Sequence, residues 1–274
     1  MTQHICFIGG GNMALAMASG LLQAGHPANQ ITVADPSPER RTLASQLGEL
    51  NVVADNIAAA ASADAVILAV KPHLIEPVCT ALSATIGASG ALVMSVAAGI
   101  TIDAIGAALG GHARIARIMP NTPALVGRGA SGVYASDAVS KEDRDTVDHL
   151  LSACGMVVWV QSEDRLHDIT AISGSGPAYF FLFMEYLKDQ ALALGLSDED
   201  AAKLVRQTAA GAAAMTQETD VSLAELRRRV TSPGGTTEAA IGQFMHDNLN
   251  GLVERAVAAA RKRSVELAEP NGDQ

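Results

Sequence analysis

Apolar residues along this chain follow two patterns, and the change between them falls near residue 161. Before it, short apolar runs at residues 5–8, 31–34, 51–54, 65–70, 91–97, 115–118, 132–135 and 156–160 read as strands. The runs at 65–70 and 91–97 are continuous, as strands buried on both faces are. Between the runs, apolar residues recur at helical spacing over 13–22, 101–109 and 141–153. Strand and helix in alternation specify an α/β fold with a parallel, doubly wound sheet. After residue 161 no strand pattern returns. One helix is expected to open at Ser173, with Pro177 in its first turn, and to run to about residue 194; a second, capped by Ser197, reaches 216; others cover 223–230, 238–245 and 248–268. The chain thus divides into an α/β domain over 1–161 and an all-α domain over 162–274, with a polar, frayed tail over 269–274.

The first of those late helices carries Tyr179, Phe180, Phe181, Leu182 and Phe183 in a row, so large apolar groups surround it. Such a helix needs cover on every side. A few short helices provide too little, and a second copy of the chain is the expected cover.

Composition narrows the class of protein. Of 274 residues 49% are hydrophobic but only 3% aromatic, so the core is built mainly from Ala, Val, Leu and Ile. A net charge of −10 weighs against nucleic acid or an anionic membrane as partner. Cys6, Cys79 and Cys154 lie in separate apolar contexts and read as reduced core residues. The histidines show no metal-ligand spacing, and no metal is expected. Neither a leader-like segment nor a membrane span is evident, and a cytoplasmic protein is expected.

Candidate chemistry begins where the first strand runs into Gly9, Gly10 and Gly11. Gly9, Gly11 and Ala14 fit the form G-x-G-x-x-A, in which the first glycine permits the turn, the second admits a pyrophosphate, and the small third residue lets helix pack on strand. The helix start that follows favours an anion. A plain tight turn is the bland alternative. Asp35, ending the second strand, stands where an acid takes the ribose hydroxyls of NAD, whereas Ser37, Arg40 and Arg41 suit the extra phosphate of NADP. A capped helix start explains those residues equally well. Lys71, just past an apolar strand, is either a crevice residue or the end of a strand. The segment from Thr231 to Thr237 sets Gly234 and Gly235 among hydroxyls at a helix start, which can bind a small carboxylate or serve only as a cap. Other reductases with a helical second domain would use a bundle lysine such as Lys188 or Lys203, and a nucleotide-binding redox sensor would need only the first glycine loop.

Five motifs in order, GGGNMA from Gly9, AVKP from Ala69, MPNTPA from Met119, ISGSGPAY from Ile172 and VTSPGGTT from Val230, resemble those of the pyrroline-5-carboxylate reductase family. The resemblance spans almost the whole chain. It implies reduction of 1-pyrroline-5-carboxylate to L-proline by NADPH, with NADH as the alternative, in an N-terminal Rossmann domain. It also implies a helical dimerisation domain that interlocks with its partner's in a homodimer, often within a ring of dimers. Carried over by residue, the cofactor would contact Gly9, Gly11, Asn12, Met13, Ser37, Asn56, Ala69, Val70, Lys71 and Pro72, with Ser95, Val96 and Ala97 beside the nicotinamide. The substrate carboxylate would sit on Ser232, Gly234, Gly235, Thr236 and Thr237, with Glu163 near the product and the Thr237 hydroxyl directed at the ring nitrogen as the catalytic group.

Overall fold

A computed structural model of the chain describes residues 3–218 and 220–268; the tail expected over 269–274 lies outside them. The α/β part runs β1 (Ile5–Ile8), α1 (Asn12–Gln23), β2 (Ile31–Ala34), α2 (Pro38–Ser45), β3 (Asn51–Val53), α3 (Asn56–Ala60), β4 (Ala65–Leu68), α4 (Ile75–Ser89), β5 (Leu92–Ser95), α5 (Ile102–Ala108), β6 (Ile115–Met119), β7 (Gly129–Ala135), α6 (Lys141–Ser152) and β8 (Gly155–Trp159). All eight strands join one sheet in the order β3-β2-β1-β4-β5-β6-β7-β8. Pairing is parallel from β3 through β6, with Ile5 opposite Ile31 on one side and Ala65 on the other.

Why the central strands are apolar throughout is visible in β1. Ile5 and Phe7 enter the core on one face of the sheet with Ala14, Met17 and Leu21 of α1, while Cys6 and Ile8 enter the other with Cys79, Leu82 and Ile86 of α4. Both faces are covered, so period-two alternation has no polar side to show. Each such fully buried Ile or Phe contributes ~1.5–3 kcal/mol. The three cysteines are buried and unpaired, and burial pushes the Cys6 thiol up to about 12 and those of Cys79 and Cys154 up to about 11. They are therefore inert packing groups.

The expectation of a uniformly parallel sheet needs one correction, since β7 runs antiparallel to β6. Only a 3-10 turn, Thr122–Val126, separates them. A parallel return requires a crossover of a dozen or more residues, usually a helix, so the chain comes straight back. α6 then provides such a crossover, and β8 pairs parallel with β7.

A second correction concerns Ser173. No helix opens there: α7 (Arg165–Ile169) continues into a π-helical turn, Thr170–Gly174, and α8 (Gly176–Ala193) follows. The Ser173 hydroxyl donates to the carbonyls of Ile169 and Ala130 and caps nothing. Then come α9 (Asp198–Gln217), α10 (Leu223–Arg229), α11 (Thr236–His246) and α12 (Leu249–Glu266).

Two compact units result, one of residues up to Ser175 joined by those from Ala260 on, the other Gly176–Ala259. The change of pattern near residue 161 precedes the change of unit because α7 lies on the sheet: a Cβ on Gly132 of β7 would stand 2.7 Å from Ile169 Cγ1. The end of α12 joins the same unit through Arg261, whose Nε reaches Asp168 at 2.6 Å and Nη2 reaches Asp164 at 2.8 Å. In the second unit Phe183 and Phe244 pack with ring centres 6.0 Å apart.

Candidate active site

The sheet order reverses at β1, whose neighbours β2 and β4 lead outwards in opposite senses. In an open α/β sheet the crevice beyond the strand ends at such a point receives the ligand. Gly9, Asp35, Ala69 and Ser95 stand at or just past the carboxyl ends of β1, β2, β4 and β5, so the structure gathers the residues expected to hold the cofactor at that edge.

The glycine loop is shaped by this crowding. Gly9 has φ +101°, and a Cβ there would lie 2.8 Å from the Ala69 carbonyl oxygen and 2.9 Å from Val70 Cγ1. Gly11 caps α1 with no side-chain hydrogen bond, which leaves the N–H groups of Asn12 and Met13 at a helix start without an intrahelical acceptor. Bare donors at the positive end of a helix suit a pyrophosphate. Ala14, the small third position, is fully buried against β1.

Beside this loop, Ser37 caps α2, its Oγ accepting from Arg40 N–H at 3.4 Å. Asp55 caps α3 by accepting from the N–H groups of Ile57 and Ala58. The buried Oδ1 of Asn56 has no hydrogen-bond partner. An acceptor buried without a donor is costly, and here it stands among the residues expected to meet the nucleotide. Lys71 and Pro72 are exposed at the turn after β4, while Ser95 and Ala97 are buried, with Ala97 N–H donating to Ser95 Oγ at 3.3 Å. Taken together, unpaired helix-start donors, a glycine cradle that a Cβ would fill and an orphaned acceptor fit a dinucleotide.

Glu163 is already engaged. Its Oε1 accepts from Arg117 Nη1 at 2.8 Å and from the Ile102 N–H that begins α5 at 2.9 Å. Arg117 is only 5% exposed, a cation inside an otherwise apolar strand, and such a group needs its partner. Near it, His167 pairs with the Ser264 hydroxyl at 2.8 Å, and burial, aided by the Arg117 charge, lowers its pKa. Asn121, also buried, donates to Ser173 O at 3.0 Å and accepts from Ala130 N–H at 2.9 Å, pinning the proline loop to β7. Neither Arg117 nor His167 was singled out in the sequence, and Asn121 entered only within the MPNTPA motif. A charged residue within the apolar run 115–118 was the available signal for Arg117; the partners of Asn121 and His167 leave no local trace.

In the helical unit, Gly234 has φ +71° and Gly235 caps α11 without a side-chain bond. Gly234 N–H donates to Glu238 Oε2 at 2.7 Å and Gly235 N–H to Ser232 O at 3.0 Å, so those two donors are spent within the loop. The N–H groups of Thr236 and Thr237, in the first turn of α11, are left without intrahelical acceptors. Ser232 is exposed and Thr237 half-buried. No hydroxyl in the loop caps the helix, and the two donors left at its start can receive an anion.

A family model described as pyrroline-5-carboxylate reductase dimerisation matches residues 163–267, and one described as NADP oxidoreductase, coenzyme F420-dependent, matches residues 4–99. The chain is 47% identical to the pyrroline-5-carboxylate reductase of Pseudomonas aeruginosa over 271 residues, 99% of each chain. It is similar to a solved pyrroline-5-carboxylate reductase from Coxiella burnetii, with a TM-score of 0.94 and 44% identity over 98% of this chain and 100% of that one. A solved pyrroline carboxylate reductase from Plasmodium falciparum with NADP bound matches with a TM-score of 0.84 and 29% identity, covering 97% of this chain and 98% of that one.

Proposed function

The chain belongs to the pyrroline-5-carboxylate reductase family, and on that premise we propose that it reduces 1-pyrroline-5-carboxylate to L-proline with NADPH, NADH being the alternative, as the last step of proline biosynthesis. The observation that carries this reading is that relatedness runs through both glycine loops, at Gly9 to Ala14 and at Ser232 to Thr237, in one chain. Nucleotide binding is assigned to the domain over 1–161, dimerisation and substrate binding to that over 162–274. We place the activity in the cytoplasm, in keeping with three unpaired cysteines; among the described residues no helix is long and apolar enough to cross a membrane.

Bound at the glycine loop, the dinucleotide supplies the hydride. Gly9 and Gly11 let the backbone approach its phosphates, and the helix-start donors at Asn12 and Met13 hold them. Ser37 and Asn56 meet the adenosine end. Ala69, Val70, Lys71 and Pro72 with Ser95, Val96 and Ala97 wall the crevice and orient the reactive ring. The substrate carboxylate is received at the turn of Ser232, Gly234 and Gly235 by the N–H groups of Thr236 and Thr237, those of the two glycines being held within the loop, with Glu163, paired to Arg117, near the product. The Thr237 hydroxyl supports the ring nitrogen as its charge changes. A cyclic imine needs little more than positioning and one such donor.

The reading extends to the assembly. Two chains interlock through their helical domains, dimers join in a ring, and the Gly234 to Thr237 loop of one chain completes the pocket of its partner. Purified protein should oxidise NADPH or NADH, followed by nicotinamide absorbance, only when the cyclic imine is present. Absence of turnover with either nucleotide across neutral pH would overturn the reading.

A further inference from the structure

Asp35 ends β2 at the position where a carboxylate ordinarily takes the ribose hydroxyls of NAD, and a free acid there opposes the 2′-phosphate of NADP. In this chain the carboxylate is committed to the backbone. Its Oδ2 accepts from Gly10 N–H at 2.7 Å and its Oδ1 from Ser37 N–H at 2.8 Å, so one side chain joins the glycine loop to the turn that enters α2. Hydrogen bonds to both oxygens fix the orientation of the carboxylate and delocalise its charge onto peptide dipoles.

The two arginines that follow do different work. Arg41 Nη1 lies 2.8 Å from both the Asp35 and the Pro36 carbonyl oxygens, so its guanidinium braces the turn. Arg40 leans over the glycine loop: its Cβ is 3.3 Å from where a Cβ on Gly10 would stand, and its Nη1 reaches Asn12 Oδ1 at 3.3 Å. That last contact is long and exposed, and a phosphate displaces it readily because a guanidinium pairs far better with an oxyanion than with an amide oxygen.

We propose that Asp35 is a positioning residue for nucleotide selection: it clasps the β2–α2 turn to the glycine loop, so that Ser37 and Arg40 are set to meet the 2′-phosphate of NADPH, and it does not serve as a ribose acid for NADH. The proposal rests on the reading that this chain binds NADPH. It reverses the sign expected of an acid at this position, because removing the carboxylate harms NADPH most.

Dissociation constants of the full-length protein for NADPH and NADH, from nicotinamide fluorescence, and for adenosine 2′,5′-bisphosphate, by competition, test it in the wild type, D35A, D35N and R40A. D35A is expected to weaken NADPH and the bisphosphate ~10-fold or more, the loss of bonds to a charged acceptor, with a smaller loss for NADH. The preference for the phosphorylated nucleotide then falls, as it does in R40A. D35N, which keeps one acceptor oxygen, should lie between, and it carries the same comparison if D35A does not fold. Tighter NADPH binding in D35A would overturn the proposal, since the acid would then be a repelling group. So would equal losses for both nucleotides, which a general loosening of the loop produces. Wild-type protein that binds neither nucleotide would instead overturn the reductase reading itself.

Discussion

Gly9 and Thr237 show how much a single position decides. At Gly9 the backbone is left-handed and Ala69 and Val70 leave no room for a Cβ, so Gly9→Ala must either shift β4 or strain its own backbone. We expect a loss of ~1–3 kcal/mol of stability together with much weaker nucleotide binding, read by thermal melts and fluorescence titration. Unchanged affinity would mean the loop does not carry the nucleotide. Thr237 is different, because it starts a helix that Gly235 already caps and its hydroxyl is not spent on the cap. Thr237→Ala should leave folding and nucleotide affinity intact while turnover drops ~10²-fold, the usual effect of losing one donor aimed at developing charge. If turnover is unchanged, the hydroxyl has no part in the chemistry. The backbone setting of both positions was legible in the sequence, since a glycine turn after an apolar strand and a helix start after a glycine pair are local patterns. The engagement of Asp35 and the buried Arg117–Glu163 pair were not, because their partners are set by how strands are ordered in the sheet rather than by spacing along the chain.

Elements were read best where burial alone decides them. The apolar runs of β1, β2 and β4 and the helical spacing of α1 appear in place, and beyond residue 161 the absence of strands holds among the described residues. What the pattern could not carry was direction: β7 turns antiparallel because the proline loop before it is too short for a crossover. Nor could it locate the helix start near Ser173, since a π-helical turn continuous with α7 has no cap to announce it. α6 is the counter-example, announced by Ser140 and Asp143 in a capping box. Asp143 also takes a two-pronged ion pair from Arg114, whose Nε lies 2.8 Å from Oδ2, while Arg114 Nη1 holds the Gly90 carbonyl at the end of α4. Those Arg114 hydrogen bonds hold the Asp143 carboxyl below its usual range against the burial that opposes them. A depressed folded pKa contributes stability above the unfolded value, and that contribution disappears as pH falls through the folded one. Asp143→Asn should therefore cost about 2 kcal/mol at neutral pH, and the urea-melt stabilities of variant and wild type should begin to converge as pH drops below about 4 and meet only below the depressed folded pKa. A gap that stays constant with pH would show that the charge of Asp143 is not its source.

At the scale of the whole molecule, the helical unit has almost no interior. Between Gly176 and Ala259 only Gly176, Ala201 and Gly251 are buried among the described residues, whereas Phe180 is 72% and Phe181 64% exposed. Close-packed domains bury their large apolar groups, and helices apolar on several faces need cover. A second copy is the cover we propose, in keeping with the dimerisation family model that matches residues 163–267. If the partner's Gly234 to Thr237 loop also completes each pocket, two defects on different chains can rescue one another. One variant would carry a bulky residue at Gly11, which blocks nucleotide approach, and the other Thr237→Ala. Each alone is expected to be inactive or nearly so. Co-expressed, a mixed dimer places both defects in one pocket and leaves the other intact, so about a quarter of all pockets regain full activity if chains pair at random. If each chain builds its own pocket, every pocket keeps one defect, and the mixture stays at the average of its parents. Activity of the mixture therefore decides between a shared and a self-contained site, and a value no higher than that average would refute the shared one.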